Sequence, residues 1–167
     1  MRRTLILGAL CAGLSWPALS SRALAERETS VKPLGDAYYF YAAKTYGNHA
    51  ADHVLLLRQF VSTNRLMPTG WVRRQLDAVR GHATSTSWAY AQLSPRITDD
   101  PAGAEQLGEI QEQYAEVLEI CDRLDAAFAA PGVDLVAMSR TVDQLQSSLS
   151  GARVTQQNLA VEFGGDQ

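Results

Sequence analysis

The chain contains three histidines, and their spacing is its clearest indication of chemistry. His49 and His53 are four residues apart, so on a helix their side chains lie on one face, about 6 Å from each other. If the next segment folds back antiparallel to the first, His82 lies level with His49. Imidazole is the commonest metal ligand, and three nitrogens leave a fourth position for water or substrate. We therefore predict that His49, His53 and His82 bind a metal ion.

Folding the later segments back in the same way brings more polar side chains to this height. Tyr46 shares the histidine face, while Gln113 and Tyr114 arrive from a third helix, and these three are the predicted cofactor-binding residues. The cofactor is either a transition metal such as Zn or Cu or a non-covalent haem, which needs only one or two axial histidines. The alternative is a core layer in which the histidines form hydrogen bonds to tyrosine and glutamine side chains and bind no metal or haem.

Other kinds of site find little support in the sequence. A di-iron carboxylate site needs inward glutamates and Glu-x-x-His motifs, and covalent haem needs Cys-x-x-Cys-His; neither motif occurs. The serines have no histidine and acid arranged to activate them as nucleophiles. No catalytic residue is predicted, and the protein is not expected to be an ordinary hydrolase.

The elements that would position the histidines are bounded by prolines. Pro33, Pro68, Pro95 with Pro101, and Pro131 leave four proline-free stretches in which apolar residues recur every three or four positions. This pattern predicts four long helices with short connections. We expect an all-α protein, an up-down-up-down four-helix bundle over residues 34–163. Residues 26–33 are then a lead-in, and 164–167 a tail.

Residues 1–25 have the pattern of a signal peptide. A basic start at Arg2 and Arg3 precedes a mostly apolar stretch, and Ala23-Leu24-Ala25 is a small-x-small cleavage site. The paired arginines leave open the twin-arginine route, which exports folded proteins. The expected location is the periplasm or the exterior. Cleavage would remove three arginines from a chain whose formal net charge is already −3, so nucleic acid is not an expected partner.

Two further features concern the mature chain, which has no run long enough to span a membrane. Cys121 lies on the same helical face as Val117 and Leu124, so we expect it to be buried. Four consecutive aromatic residues, 38–41, cover every face of a helix, so at least one must be exposed or covered. Together with Trp88 they form a candidate surface for a protein partner or a homodimer, or else an aromatic plug.

The segment Gly47-Asn48-His49-Ala50-Ala51-Asp52-His53, followed by Pro68 and His82, resembles uncharacterised exported helical-hairpin proteins of bacteria. The expected architecture is similar to exported bundles of the cytochrome b562 and cytochrome c′ type, without the covalent haem motif. These resemblances imply a helical bundle and no particular activity. The sequence thus favours an exported bundle with a mid-core histidine cluster that binds a metal or haem for carriage, sensing or redox. The alternative is a non-catalytic interaction or stress-type bundle.

Overall fold

A computed structural model describes residues 34–63 and 68–164, and these residues form an all-α structure. They contain five helices and no strand, which confirms the all-α part of the prediction. The helices are α1 (Asp36–Ser62), α2 (Thr69–Tyr90), α3 (Pro95–Thr98), α4 (Pro101–Ala129) and α5 (Leu135–Phe163). None of these five has the length and apolar character needed to cross a membrane. The predicted signal peptide (1–25), the lead-in (26–33) and residues 165–167 of the tail lie outside the described residues.

Four helices were expected. The additional one, α3, is a single turn in the predicted connection between α2 and α4. Pro95 starts this turn, because proline is tolerated in the first turn of a helix. Its Ile97 is fully buried against α4, where a Cβ at Gly103 would collide with the Ile97 carbonyl. Glycine at position 103 therefore allows α3 to approach α4 this closely.

Each long helix packs against two others. α1 contacts α2 and α5, and α4 also contacts α2 and α5. On α1 the buried positions recur every three or four residues, and the face around Ala43, Gly47 and Ala50 is formed by small side chains. Larger aliphatic residues from all four long helices complete one hydrophobic core, which contains Leu57, Leu76, Ile110, Ile120, Leu124, Leu145, Leu149 and Leu159.

The two later long helices each begin at an aspartate that caps their first turn. Asp100 accepts hydrogen bonds from the backbone N–H groups at the start of α4, and Asp134 does the same at the start of α5. Gly132 turns the chain between them with a φ of 81°, which glycine adopts without steric cost. These local features set where α4 and α5 begin.

A surface contact joins two of the long helices. Arg80 of α2 donates to Asp122 of α4 at 2.9 Å.

Candidate functional site

The three histidines lie together where α1 faces α2. The ring of His82 is centred 5.2 Å from that of His49 and 5.6 Å from that of His53. Tyr46 stacks on the other side of His82, with ring centres 6.2 Å apart. His82 therefore lies between Tyr46 and His53, and His49 meets it edge to face. The predicted convergence of residues from two helices, Tyr46 included, is present in the structure.

One histidine is oriented by a residue that the sequence analysis missed. Nδ1 of His53 lies 2.7 Å from Oε1 of Gln75 on α2. An amide oxygen only accepts hydrogen bonds, so Nδ1 carries the proton and donates it, which leaves the Nε2 lone pair of neutral His53 free. Gln75 precedes His82 by seven residues, or two helical turns. That spacing is the signal that could have identified it.

The cluster lies at the edge of the α1–α2 contact rather than in the middle of the core. His49 is exposed, and His53 and His82 are half-buried. A mid-core location requires the histidine face of α1 to be its buried face. The buried face is instead centred on small residues such as Gly47 and Ala50, which carry little hydrophobic signal. Leu56, two helical turns after His49, is likewise 40% exposed.

Two predicted site residues have partners away from the histidines. Gln113 of α4 lies in hydrogen-bond range of Glu109 and of Thr155 on α5. Tyr114 is fully buried, and its hydroxyl accepts a hydrogen bond from Gln156 of α5 at 2.6 Å. The structure thus places Tyr46, and neither Gln113 nor Tyr114, beside the histidine rings.

The buried Tyr114–Gln156 pair accounts for a glycine in the middle of α1. A Cβ at Gly47 would lie 3.0 Å from the Tyr114 hydroxyl and 3.2 Å from Oε1 of Gln156. Burial raises the pKa of Tyr114, so its hydroxyl stays protonated at neutral pH. This pair, rather than the histidines, forms a polar contact inside the core.

The electrostatics of the cluster favour the neutral form of His82. Partial burial lowers the pKa of His82, and the neighbouring His49 and His53 lower it further because a second positive charge there would be repelled. Neutral imidazole is the form that binds metals, since protonation removes the lone pair. His82 is therefore available as a ligand at neutral pH.

The ring orientations, as they stand, do not form a complete coordination site. Within residues 34–63 and 68–164, no three histidine, cysteine, aspartate or glutamate side chains are arranged to hold a metal ion. The rings of His53 and His82 are inclined by only 17°. A metal lies near the plane of each imidazole that binds it, so at least one of these two rings must rotate before they share an ion.

Comparison with known proteins adds no relative. No family model, curated protein or solved structure matches this chain. The resemblance to exported helical bundles therefore rests on the sequence features alone. What the protein does has to be argued from the histidine cluster itself.

Proposed function

We propose that this protein binds a single transition-metal ion through His49, His53 and His82, for carriage or sensing. One observation carries the proposal: all three histidines of the chain lie together, with His82 centred 5.2 and 5.6 Å from the other two. In a tetrahedral site with Zn–N bonds of about 2.0–2.1 Å, the centres of two ligating rings lie roughly 5 Å apart. The spacings of His82 to His49 and to His53 therefore suit a shared ion.

Rotation of the rings is a small adjustment. The χ2 torsion of histidine has broad minima, so a ring turns within its site at low cost. His49 is exposed and His82 half-buried, so neither ring is locked by close packing. His53, in contrast, is held by Gln75, as metal-binding histidines commonly are by a carbonyl or carboxylate behind them. We expect His53 to keep its orientation and to bind the ion through Nε2. The rings of His49 and His82 would then turn so that a nitrogen of each points at the same ion.

The ligand set favours a bare ion over haem. Imidazole nitrogens suit Zn and Cu, and three protein ligands leave one position for water or an exchangeable ligand. Haem would need a slot between helices wide enough for a porphyrin. A porphyrin here would also have to displace the stacking of His82 on Tyr46 and His53.

The surrounding fold belongs to the same proposal. We infer an up-down-up-down four-helix bundle formed by α1, α2, α4 and α5, exported after removal of residues 1–25. Support for the bundle comes from paired contacts between consecutive long helices. Phe60 meets Trp71 near the first connection and Phe40 meets Tyr90 at the far end, as antiparallel neighbours require. Support for export is the signal-peptide pattern.

Thermal unfolding with and without metal tests this function. Zn²⁺ or Cu²⁺ at 100 times its dissociation constant should stabilise the folded chain by about 2.7 kcal/mol, which raises Tm by roughly 5–10 °C. The His82→Ala variant should fold and lose this increase. If the metal leaves Tm of the natural chain unchanged and His82→Ala only lowers stability, the histidines are a hydrogen-bonded layer.

A second function, the non-catalytic interaction bundle, rests on a different observation. Trp88 is 51% exposed, Tyr38 is 47% exposed, and half-buried Tyr39 contacts both, with ring centres 6.0 and 5.4 Å away. Exposed contiguous aromatic surface is typical of sites that bind other proteins. Sedimentation of the natural chain and a Trp88→Ser variant would reveal a homodimer that depends on this surface.

A further inference from the structure

A concave region lies where α1 faces α5, away from the histidine cluster between α1 and α2. It is a groove of about 690 Å³, within the size range of small-molecule sites. Phe40 and Tyr90, both buried, form its apolar base, and Val154 and Val161 line it with exposed side chains. From Phe40 to Asn48 the groove follows α1 for about 12 Å, at 1.5 Å per residue.

Two positive charges line this groove, one from each helix. Lys44 belongs to α1 and Arg153 to α5, and both are exposed. The lining contains no carboxylate. On the same two helices, Arg58 is paired with Asp143 at 2.9 Å, whereas neither Lys44 nor Arg153 has a carboxylate within 4 Å among the described residues. In a chain of net negative charge, the groove is thus locally cationic.

Most of the remaining lining residues are uncharged and polar. Asn48 and Gln157 offer amide groups beside the two cations, and Ser150 offers a hydroxyl. The groove therefore combines an apolar end, at Phe40 and Tyr90, with cationic and amide groups farther along its length of about 12 Å. Such a combination is complementary to a molecule with one anionic head and one unbranched apolar chain.

We propose that this groove binds a single-chain amphipathic carboxylate, a medium-chain fatty acid or a molecule of that form. The carboxylate would lie between Lys44 and Arg153, where a guanidinium can donate two parallel hydrogen bonds to it. The alkyl chain would lie along Phe40 and Tyr90, covering the exposed faces of Val154 and Val161. The site is separate from the histidine cluster, so it stands or fails independently of metal binding.

Calorimetric titration with decanoate tests the proposal on the folded natural chain. We expect saturable binding of one molecule with a dissociation constant below 1 mM. Decyltrimethylammonium, which has the same chain and the opposite charge, should bind at least 10-fold more weakly. Equal binding of the two amphiphiles, or no saturable binding of decanoate, would overturn the proposal.

Charge reversal then locates the site. Lys44→Glu and Arg153→Glu should each weaken decanoate binding at least 10-fold. Arg74→Glu is the matched control, since Arg74 is an exposed arginine on α2 outside the groove lining, and it should change the constant less than 2-fold. Ser150→Trp, which fills the groove without changing charge, should also abolish binding. If Arg74→Glu weakens decanoate binding as much as the groove variants do, the ligand binds elsewhere. The same conclusion follows if neither Arg153→Glu nor Ser150→Trp weakens binding.

Discussion

His82 is the residue from which a pH dependence of stability can be derived. Its folded pKa is lowered below the ordinary value of 6.5, so the unfolded chain binds more protons in the interval between the two values. Its contribution to stability is complete above about pH 6.5 and declines as the pH falls through the folded pKa.

The metal-free protein should therefore lose stability on acidification through this residue. Urea unfolding at pH 7.5 and 5.0, with a chelator present, measures the loss. In His82→Gln, which cannot be protonated, the difference between the two pH values should shrink. If the difference in the free energy of unfolding between the two pH values is the same in His82→Gln, groups other than His82 cause the loss of stability.

Gln75 is expected to act on the metal through His53. Loss of a residue that orients a metal-binding histidine typically costs 10- to 100-fold in affinity. Gln75→Ala should therefore weaken Zn²⁺ binding by that factor and leave the fold intact. Gln111→Ala on the exposed face of α4 is the matched control and should leave the affinity unchanged. Equal affinities in the two variants would show that the hydrogen bond to His53 has no bearing on a metal.

At the scale of elements, two glycines inside helices distinguish a close approach from open space. A Cβ at Gly47 of α1 would lie 3.0 Å from the Tyr114 hydroxyl and 3.2 Å from Oε1 of Gln156, whereas a Cβ at Gly81 of α2 would meet nothing within 4 Å. Alanine favours a helix by about 0.5–1 kcal/mol over glycine. At Gly47 that gain competes with displacement of a buried hydrogen bond, which costs about 1–3 kcal/mol.

Gly81→Ala should accordingly raise the free energy of unfolding by about 0.5–1 kcal/mol, and Gly47→Ala should lower it by about 1 kcal/mol. Denaturant unfolding of the two variants and the natural chain gives the comparison. Stabilisation by Gly47→Ala as large as that by Gly81→Ala would contradict the close packing of α1 on Tyr114 and Gln156.

The helices were predictable from the sequence because their signals are local. Apolar spacing, Asp100 before Pro101, and Gly132 in the last connection mark elements that the structure contains. The one-turn helix α3 was missed because a four-residue helix shows no periodicity. Its position depends on Gly103, which lies in another element and meets it only after folding.

The site was predictable only in part, for a reason that also lies at this scale. The antiparallel return of α2 was sufficient to bring His82 to His49. The rotation of α1 about its axis was not predicted, because it is set by how closely Gly47 lets α1 approach Tyr114 and Gln156. That rotation moves the histidines to the edge of the core and leaves Gln113 and Tyr114 with partners on α5.

For the whole molecule, Cys121 reports on the integrity of the core. It is fully buried as predicted, and burial raises its pKa to about 12. Because the thiolate is the reactive form, a thiol reagent at pH 8 should label the folded protein slowly and the denatured protein rapidly. The experiment uses the chain that begins at Glu26, in which Cys121 is the only cysteine. Rapid labelling of the native protein would contradict the packing of α4 in the core.

The central claim is that His49, His53 and His82 share one metal ion, and calorimetric titration of Zn²⁺ into the metal-free chain tests it most directly. We predict one ion per chain, bound more tightly than about 10 μM, a free energy near −7 kcal/mol. Each His→Ala variant should weaken binding by orders of magnitude, and binding should fade below about pH 6.5 as imidazole protonates. Affinity no tighter than 10 μM, or binding that survives all three substitutions, would contradict the claim.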